Sequence, residues 1–552
     1  MCHSNFRLHN DAHYNARMMT KLPRRKVSII LPHTEHPSLR RSIESALTQD
    51  YGNNGSVEVI LADARGPGAP LGSVITDLAN GDRIRHVSGA YPNRATMLNA
   101  AIATATGDYL LLVDGARGPV KLRRSAVATM MMAAVRNPEA GLIYADYALE
   151  SAGSVRDIHL LDWHPGRLRD SVDFGPLALF SADALKQVGL LNETYCAADM
   201  YDLRLRASEH GECVHIANRF AGALCSVEAA AKQHDVFDYL LASREAQLEM
   251  EEALTEHLKR TGAYLSPTMH AGAITYTREE EDRFAGCIGS VVIPCHRRPE
   301  FIGQAIESVQ KQTVQNIEVI VVVNGGETDP TAEAVRQYME GGAKHRPDKP
   351  RVRLIVVDVN NLGLCLNSGI AAANGKFYFQ LDSDDRLKPD AVEKLLAVFD
   401  SDPAIAMVIG SYEVWTLDEK AGRLTRNEQI PVVTHDEWTA DNGRNNLLRI
   451  NGAGAPRAAH IRAIADVGWF GVNDDPQCRN YGEDYDLVLR ISERYAIGRV
   501  WEPIYEVIRH SGGTDHSIDQ QTIDRNDNAK DAMRLHALRR RQALHARHRS
   551  RH

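Results

Sequence analysis

A short apolar strand followed by clustered carboxylates decides how this chain is interpreted: Phe377-Tyr378-Phe379-Gln380-Leu381 leads directly into Asp382-Ser383-Asp384-Asp385. The apolar run has the length and aromatic content of a buried strand. Three carboxylates within four residues repel one another, and they tolerate that closeness best around a hard cation such as Mg²⁺ or Mn²⁺. The stretch therefore predicts a metal-binding turn at the end of a strand.

The same pattern occurs earlier in the chain with altered carboxylates. Tyr109-Leu110-Leu111-Leu112-Val113 leads into Asp114-Gly115-Ala116-Arg117. The duplication extends in both directions, since residues 27–32 correspond to 289–294 and residues 201–206 to 485–490. Strands that alternate with helices predict a parallel α/β sheet, whose ligands bind at the carboxyl ends of the strands.

These patterns predict five segments along the chain. They are an N-terminal extension (1–25), a first α/β domain (26–225), a helical connector and linker (226–287), a second α/β domain (288–515) and a basic C-terminal helix and tail (516–552). Gly262 is the expected end of the connector helix, and residues 266–287 are expected to be a linker with one strand. The arginine-rich tail is expected to be a solvated helix end, with contact to an anionic partner or a membrane surface as the alternative.

Length and composition set the class of protein. The chain has 552 residues, enough for about two to four domains, and 43% hydrophobic and 25% charged residues are typical of a soluble globular protein. A net charge of −8 argues against a nucleic-acid binder. The eight cysteines form no CxxC pair, and no apolar run approaches the roughly 18 residues that span a bilayer. We expect a cytoplasmic protein, without a signal peptide and with membrane contact only at its periphery.

Two further elements of the second copy carry chemistry. Glu483 and Asp484 follow Gly482 at the start of a helix, where a carboxylate can cap the helix or act as a general base on a sugar hydroxyl. His510 precedes a Gly-rich segment and can complete the coordination of a metal, with His516 as a competing candidate.

Loops after the early strands of the second copy are candidates for holding a base and a ribose. Glycine and asparagine in these loops permit tight turns and close approach of the backbone to a ligand. The candidate residues are Pro294, His296, Arg298, Glu300, Asn324, Asn361 and Gly363.

Together these residues resemble a family 2 glycosyltransferase of the GT-A fold. The resemblance runs from Ser290 through Asn361-Leu362-Gly363 and Asn367 to Asp385, then to Asp484 and His510, and it covers the first copy more weakly. It implies two Rossmann-like nucleotide-diphospho-sugar transferase domains in tandem, joined by the helical connector. It also implies an inverting transfer to a hydroxyl acceptor, in bacterial surface-glycan, polysaccharide or glycoconjugate synthesis.

The resemblance also implies residue roles. Asp382 would contact the ribose and the metal, with Ser383 beside it. Asp384 would bind Mn²⁺ or Mg²⁺ directly, His510 would complete the metal shell, and Asp484 would be the base. A UDP-sugar is the favoured donor, with GDP- and dTDP-sugars as alternatives. Trp469 would line the acceptor subsite or else belong to the core.

One departure from the family concerns the nucleotide base. The family has an Asp pair after its second strand, whereas this chain has Val322-Val323-Asn324-Gly325-Gly326. Either Asn324 or Asp329 takes the base-reading role.

The first copy is expected to be degenerate. Ala116 and Arg117 replace two carboxylates, and Met200 stands where the second copy has Asp484. A guanidinium beside the turn repels a metal ion, and Met200 cannot act as a base. The copy would serve packing, glycan binding or dimerisation, or else act as a metal-independent second transferase in which Arg117 neutralises the diphosphate.

Alternatives for the whole chain are a bifunctional glycosyltransferase, a nucleotidyltransferase and an inactive glycan-binding scaffold. The expected partners are the nucleotide-sugar donor, a glycan, lipid-linked or protein hydroxyl acceptor, and a second copy of the chain, but no nucleic acid.

Overall fold

The computed structural model describes residues 25–51, 56–70, 78, 84–151, 154–218, 222–228, 243–434, 442–452, 454–474, 481–510 and 520–549. The chain divides into two compact units. The first unit comprises Met1–Asp235 with Glu252–His257, and the second comprises Val236–Glu251 with Leu258–His552. Most of the predicted N-terminal extension (residues 1–24) and His516 lie outside the described residues.

The first unit contains eleven named strands and five helices among its described residues. The strands are β1 (Lys26–Pro32), β2 (Ser56–Asp63), β3 (Ile84–Ser88), β4 (Tyr109–Val113), β5 (Val120–Leu122), β6 (Leu142–Ala145), β7 (Tyr147–Ser151), β8 (Ser154–Ile158), β9 (Leu177–Ser181), β10 (Cys213–Ile216) and β11 (Cys225–Glu228). The helices are α1 (Leu39–Leu47), α2 (Arg94–Thr104), α3 (Ala126–Arg136), α4 (Ala182–Val188) and α5 (Asp199–His210).

Helix α6 (Arg244–Thr261) contributes residues to each unit, and it ends at Gly262, whose left-handed φ of 71° is favoured by glycine. The other described elements belong to the second unit. Its strands are β12 (Gly289–Cys295), β13 (Ile317–Val323), β14 (Arg351–Val356), β15 (Phe377–Gln380), β16 (Arg386–Leu387), β17 (Ile405–Asp418), β18 (Arg423–Arg426), β19 (Arg457–His460) and β20 (Ala496–Arg509). Its helices are α7 (Arg278–Gly286), α8 (Ile302–Gln310), α9 (Pro330–Arg336), α10 (Leu362–Ala371), α11 (Ala391–Ser401), α12 (Gly443–Asn446), α13 (Ile461–Asp466), α14 (Glu483–Arg494) and α15 (Gln520–Arg549).

The main sheets of the two units share one strand order. In the first unit it is β3-β2-β1-β4-β9-β6-β10, and in the second it is β14-β13-β12-β15-β19-β17-β20, with β16 and β18 added. The first four strands of each series are parallel, and β9 and β19 are each antiparallel to both neighbours. The strands β1, β4, β12 and β13 are apolar almost throughout because helices cover both faces of such sheets.

A buried serine–glutamate network closes the amino edge of each sheet. In the first unit Ser28 donates to Glu58 (2.5 Å) and accepts from the N–H of Gly107. In the second unit Ser290 donates to Glu318 (2.8 Å) and accepts from the N–H of Gly375. Each network ties three strands together where they begin, at the edge opposite the predicted site.

The linker differs from expectation. Residues 266–287 contain helix α7 and, within the described chain, no named strand. Thr277 and Glu280 form a reciprocal capping box that supplies hydrogen-bond partners to the first turn of this helix.

The basic tail also differs from the solvated helix end that the sequence suggested. Its helix α15 packs on α14, with the guanidinium of Arg541 fully buried and donating to the carbonyl of Arg444. Arg540 forms two hydrogen bonds with Glu493 on α14. These arginines serve internal packing, so they give no support to the membrane-contact alternative.

Candidate active site

The predicted site residues of the second unit gather where β12, β13 and β15 end. Asp382 follows β15 after one residue, and its backbone N–H donates to the hydroxyl of Tyr505 on β20 (3.0 Å). Since parallel strands present their carboxyl ends at one edge, the loops after β12 and β13 lie beside this turn. The edge is therefore built from segments far apart in the sequence.

The carboxylates of the Asp382–Asp385 cluster have different surroundings. Asp385 accepts from the N–H of Ile508 (2.8 Å) and hydrogen-bonds the Tyr505 hydroxyl, so it anchors the turn to β20. Burial and the nearby Asp382 raise the pKa of Asp385. Burial and the adjacent Asp384 raise the pKa of Asp382 to about 6. The repulsion behind these shifts is the kind that a bound cation relieves.

The structure brings the predicted metal ligands Asp384 and His510 into contact. His510 Nε2 lies 2.9 Å from Asp384 Oδ2, and Arg298 Nη1 lies 3.4 Å from the same histidine nitrogen. The His510 ring also packs against Phe301, with the ring centroids 4.4 Å apart. This packing fixes the imidazole with its Nε2 toward the carboxylate turn.

The donor set fits a divalent cation that is shared with a ligand. Asp384 and His510 offer an oxygen and a nitrogen at one point, and Mg²⁺ and Mn²⁺ sites commonly take few protein ligands and complete their shell with waters and phosphate oxygens. Among the described residues, no group of three or more His, Cys, Asp or Glu side chains is arranged to hold a metal ion.

A polar chain that the sequence did not predict links the general-base candidate to the metal turn. Arg457 on β19 lies 3.0 Å from Asp484 Oδ2, and its Nε and Nη2 donate to Gln380 Oε1. Gln380 in turn donates to Asp382 Oδ1 (3.3 Å). The backbone N–H of Tyr485 donates to the other oxygen of Asp484 (2.7 Å), so both carboxylate oxygens are oriented. The available signal for Arg457 was a charged residue in a short strand that is buried throughout.

Glu483, which was paired with Asp484 as a catalytic candidate, points into a different environment. It is buried, and within the described chain its Oε2 has no hydrogen-bond partner. Burial and the neighbouring Asp484 charge raise its pKa to about 8. A carboxyl group that holds its proton at neutral pH is a poor base, which favours Asp484 over Glu483 for the base role.

The two candidates for reading the nucleotide base are also in different environments. Asp329 caps α9 through the N–H of Thr331 and accepts the N–H of Arg297 with its other oxygen. Burial alone would raise the pKa of Asp329, but these hydrogen bonds lower it. Asn324 contacts His296 Nδ1 (2.9 Å) and Asn360 (3.2 Å). Asp329 therefore holds the loop together, whereas Asn324 belongs to a polar cluster after β13.

Three residues that the sequence predicts to bind the nucleotide contact the 470–472 segment of the protein. Asn367 pairs with both the N–H and the carbonyl of Phe470, and Asn361 caps α10 while donating to the carbonyl of Val472. Gly363 approaches Gly471 so closely that a Cβ would lie 1.8 Å from its carbonyl oxygen. These residues position the loop around Trp469. Of the other nucleotide candidates, Pro294 and Ser383 are buried, and His296 and Glu300 are exposed.

The corresponding edge of the first unit contains its own cation. Arg94 donates through Nε to Asp199 Oδ2 (2.8 Å) and through Nη1 to Asp114 Oδ1 (3.0 Å). Arg117, which the sequence suggested as the neutralising charge, pairs instead with Asp173 (2.6 Å). A cavity of about 180 Å³ lies beside Arg94, with Leu112 and Met200 in its wall.

A family profile matches part of the second unit, and several known proteins are similar to longer or shorter parts of the chain. The profile described as Glycosyl transferase family 2 matches residues 290–456. The chain is 25% identical over 241 residues to a chondroitin synthase of Escherichia coli, covering 44% of this chain and 31% of that protein. It is 25% identical over 521 residues to an uncharacterized glycosyltransferase of Rickettsia felis, covering 89% of this chain and 81% of that protein. Residues 290–456, which contain the carboxylate turn, thus match family 2 glycosyltransferases.

The chain covers only part of the length of several of these relatives. The chain spans between 21% and 40% of the length of four of the curated relatives that it matches. Among solved structures, S. aureus TarS 1-349 in complex with UDP-GlcNAc aligns at 17% identity over 42% of this chain and 61% of that chain, with a TM-score of 0.33. The predicted α/β class is confirmed. No helix in the described residues has the length and apolar composition to cross a bilayer.

Proposed function

We propose that the second unit is an inverting, metal-dependent glycosyltransferase that moves a sugar from a nucleotide-diphospho-sugar to a hydroxyl acceptor. One observation carries the proposal: the Asp384–His510 pair and the Asp484–Arg457 pair meet the same carboxylate turn through Asp382 and Gln380. A metal pair and an oriented base at one sheet edge are the two parts that such a transfer requires.

Asp384, His510 and Asp382 would hold the divalent ion, which neutralises negative charge on the leaving diphosphate when it is bound. Arg298, 4.0 Å from Asp384, adds a permanent positive charge for the same phosphates. We propose that Asn324, together with His296, contacts the nucleotide base, in place of Asp329. The favoured donor is a UDP-sugar.

Asp484 would take the proton of the acceptor hydroxyl as that oxygen attacks the anomeric carbon. The bond from the anomeric carbon to the diphosphate oxygen breaks on the opposite face of the sugar, which inverts the configuration. Arg457 and the N–H of Tyr485 hold the carboxylate in one orientation, so little reorganisation accompanies the proton transfer. A glycan acceptor is supported by the names of the relatives, chondroitin and hyaluronan synthases. Trp469 is the candidate acceptor platform.

The first unit is proposed to be a second transferase-like module without catalytic activity. Arg94 already occupies its two acidic groups Asp114 and Asp199, and Met200 offers no base. The proposed domain limits are those predicted from the sequence, 26–225 and 288–515. The six described cysteines are free thiols, which supports a cytoplasmic location.

The test is a matched pair of variants in a donor assay. Wild type, Asp384→Ala and Asp114→Ala are incubated with UDP-, GDP- and dTDP-sugars, Mn²⁺ and oligosaccharide acceptors, with and without EDTA. We expect turnover by wild type and by Asp114→Ala, and its loss in Asp384→Ala and in EDTA.

Each alternative predicts a different result. Absence of turnover with every donor and acceptor would contradict the enzyme proposal and favour a glycan-binding scaffold. Loss of one of two activities in Asp114→Ala would indicate a bifunctional enzyme. Pyrophosphate release from a nucleoside triphosphate and a sugar phosphate would indicate nucleotidyl transfer.

A further inference from the structure

The C-terminal helix α15 lies on the helix whose first turn carries Asp484. Met533 of α15 is fully buried and contacts Gly482, the residue at which α14 begins. A Cβ on Gly482 would lie 2.2 Å from Met533 Cε, so the methionine fills the space beside the bare glycine backbone. This contact is two residues from the carboxylate proposed as the base.

Gly482 has a φ of 91°, a conformation that residues with a side chain rarely adopt. The glycine thus meets two requirements at once, a left-handed backbone and a close neighbour. Because the chain turns at this residue into the helix, the direction of the first turn depends on how Gly482 is held.

Residues on both sides of Gly482 are held by the same stretch of α15. The ammonium of Lys530 lies 5.0 Å from the ring centre of Tyr481, and the guanidinium of Arg534 lies 4.9 Å from that of Tyr485. Arg534 is itself buried and paired with Asp531 (2.9 Å). Residues 530–534 of α15 therefore contact residues 481, 482 and 485, which flank Asp484.

We infer that Met533 is a positioning residue for Asp484, acting through Gly482 and the first turn of α14. The inference rests on the proposed function for the role of Asp484, whereas the packing that it invokes does not. A catalytic group displaced by about 1 Å can lose on the order of 10²-fold in rate, so a packed contact two residues away is sufficient to control it. The region matched by the family profile ends at residue 456, so α15 lies outside it.

The experiment compares Met533→Ala with Met533→Leu and with Leu538→Ala, a buried α15 residue further from Gly482. We expect Met533→Ala to lower kcat about tenfold or more while the donor KM changes less than about threefold, because donor-binding residues lie on other elements. Met533→Leu should restore kcat, and Leu538→Ala should lower the thermal midpoint with kcat retained.

Hydrogen exchange of the full chain supplies a readout that does not depend on turnover. Amides of residues 482–486 should exchange faster in Met533→Ala than in wild type and should be unaffected by Leu538→Ala. Unchanged exchange in Met533→Ala would overturn the inference whatever the activity. Faster exchange in a protein without transferase activity would support the packing role and contradict only the proposed function. Equal kcat losses in Met533→Ala and Leu538→Ala would also overturn it, since general destabilisation would explain both.

Discussion

The two units build the same sheet order but place different side chains at its carboxyl edge. In the second unit Gln380, Arg457 and Asp484 form a polar chain. Strand pairing gives their counterparts, since Tyr109 faces Ser181 in the first unit as Phe377 faces His460 in the second. The counterparts are Leu112, Ala178 and Met200. All three counterparts are apolar, so the first unit lacks the whole hydrogen-bonded set and not a single member of it.

The source of positive charge differs in the same way. In the first unit Arg94 is tethered to helix α2 and pairs with Asp114 and Asp199. In the second unit Leu362 corresponds to Arg94, and the carboxylates there crowd one another. In the first unit one guanidinium pairs with both carboxylates, whereas in the second unit Arg457 pairs with Asp484, and Asp382 accepts a hydrogen bond from the neutral amide of Gln380. The same sheet edge is thus closed by an ion pair in the first unit and lined by crowded carboxylates in the second.

The largest effect is expected from replacing Asp484, the proposed general base of the second unit, rather than Met200, its counterpart in the first. Asp484→Asn should lower kcat roughly 10²–10⁴-fold, because the amide cannot accept the acceptor proton. The matched variant Met200→Ala should leave kcat unchanged. Steady-state transfer assays check both, and an Asp484→Asn enzyme within a few-fold of wild type would remove Asp484 as the base.

The next effect concerns the ion pair of the first unit. Arg94→Ala removes the cationic partner of the buried Asp199, and we expect the free energy of unfolding to fall by roughly 3 kcal/mol, the low end for breaking a buried ion pair because the Arg94 side chain is 30% exposed. Urea unfolding measures this loss. Adding Asp199→Asn should recover part of it, and transferase activity should persist in both variants. An unchanged unfolding free energy would mean that the pair is not structural.

A smaller effect is expected in the pH dependence of stability. The folded pKa of Glu483, about 8, lies above its ordinary value of 4.5, so between these values the folded protein holds a proton that the unfolded chain has released. Stability therefore falls as pH rises across that window. Glu483→Gln should flatten this fall, as measured by urea unfolding at pH 5, 6, 7 and 8. Equal slopes in wild type and variant would contradict a buried, protonated Glu483.

The sequence predicted the strands, their α/β class and the carboxylates of the second edge because repetition and apolar runs are local signals. It missed Arg457 because the partners of that residue, Gln380 and Asp484, lie on other elements. It did not predict the pairing of Asn367 with Phe470, because a side-chain amide that pairs with a distant backbone group leaves no trace in the residue sequence. The tail arginines were expected in solvent for a similar reason, since Arg541 pairs with a distant backbone carbonyl.

The serine–glutamate networks of Ser28 with Glu58 and of Ser290 with Glu318 bear on how the two copies can differ in sequence and keep one fold. Each network lies where the strands begin, and it is present in both units although their carboxyl edges carry different side chains. The first unit thus has Leu112, Ala178 and Met200 at one edge and the complete network at the other. Separation of the fold-closing edge from the reactive edge lets duplicated sequence drift in function without first losing its structure.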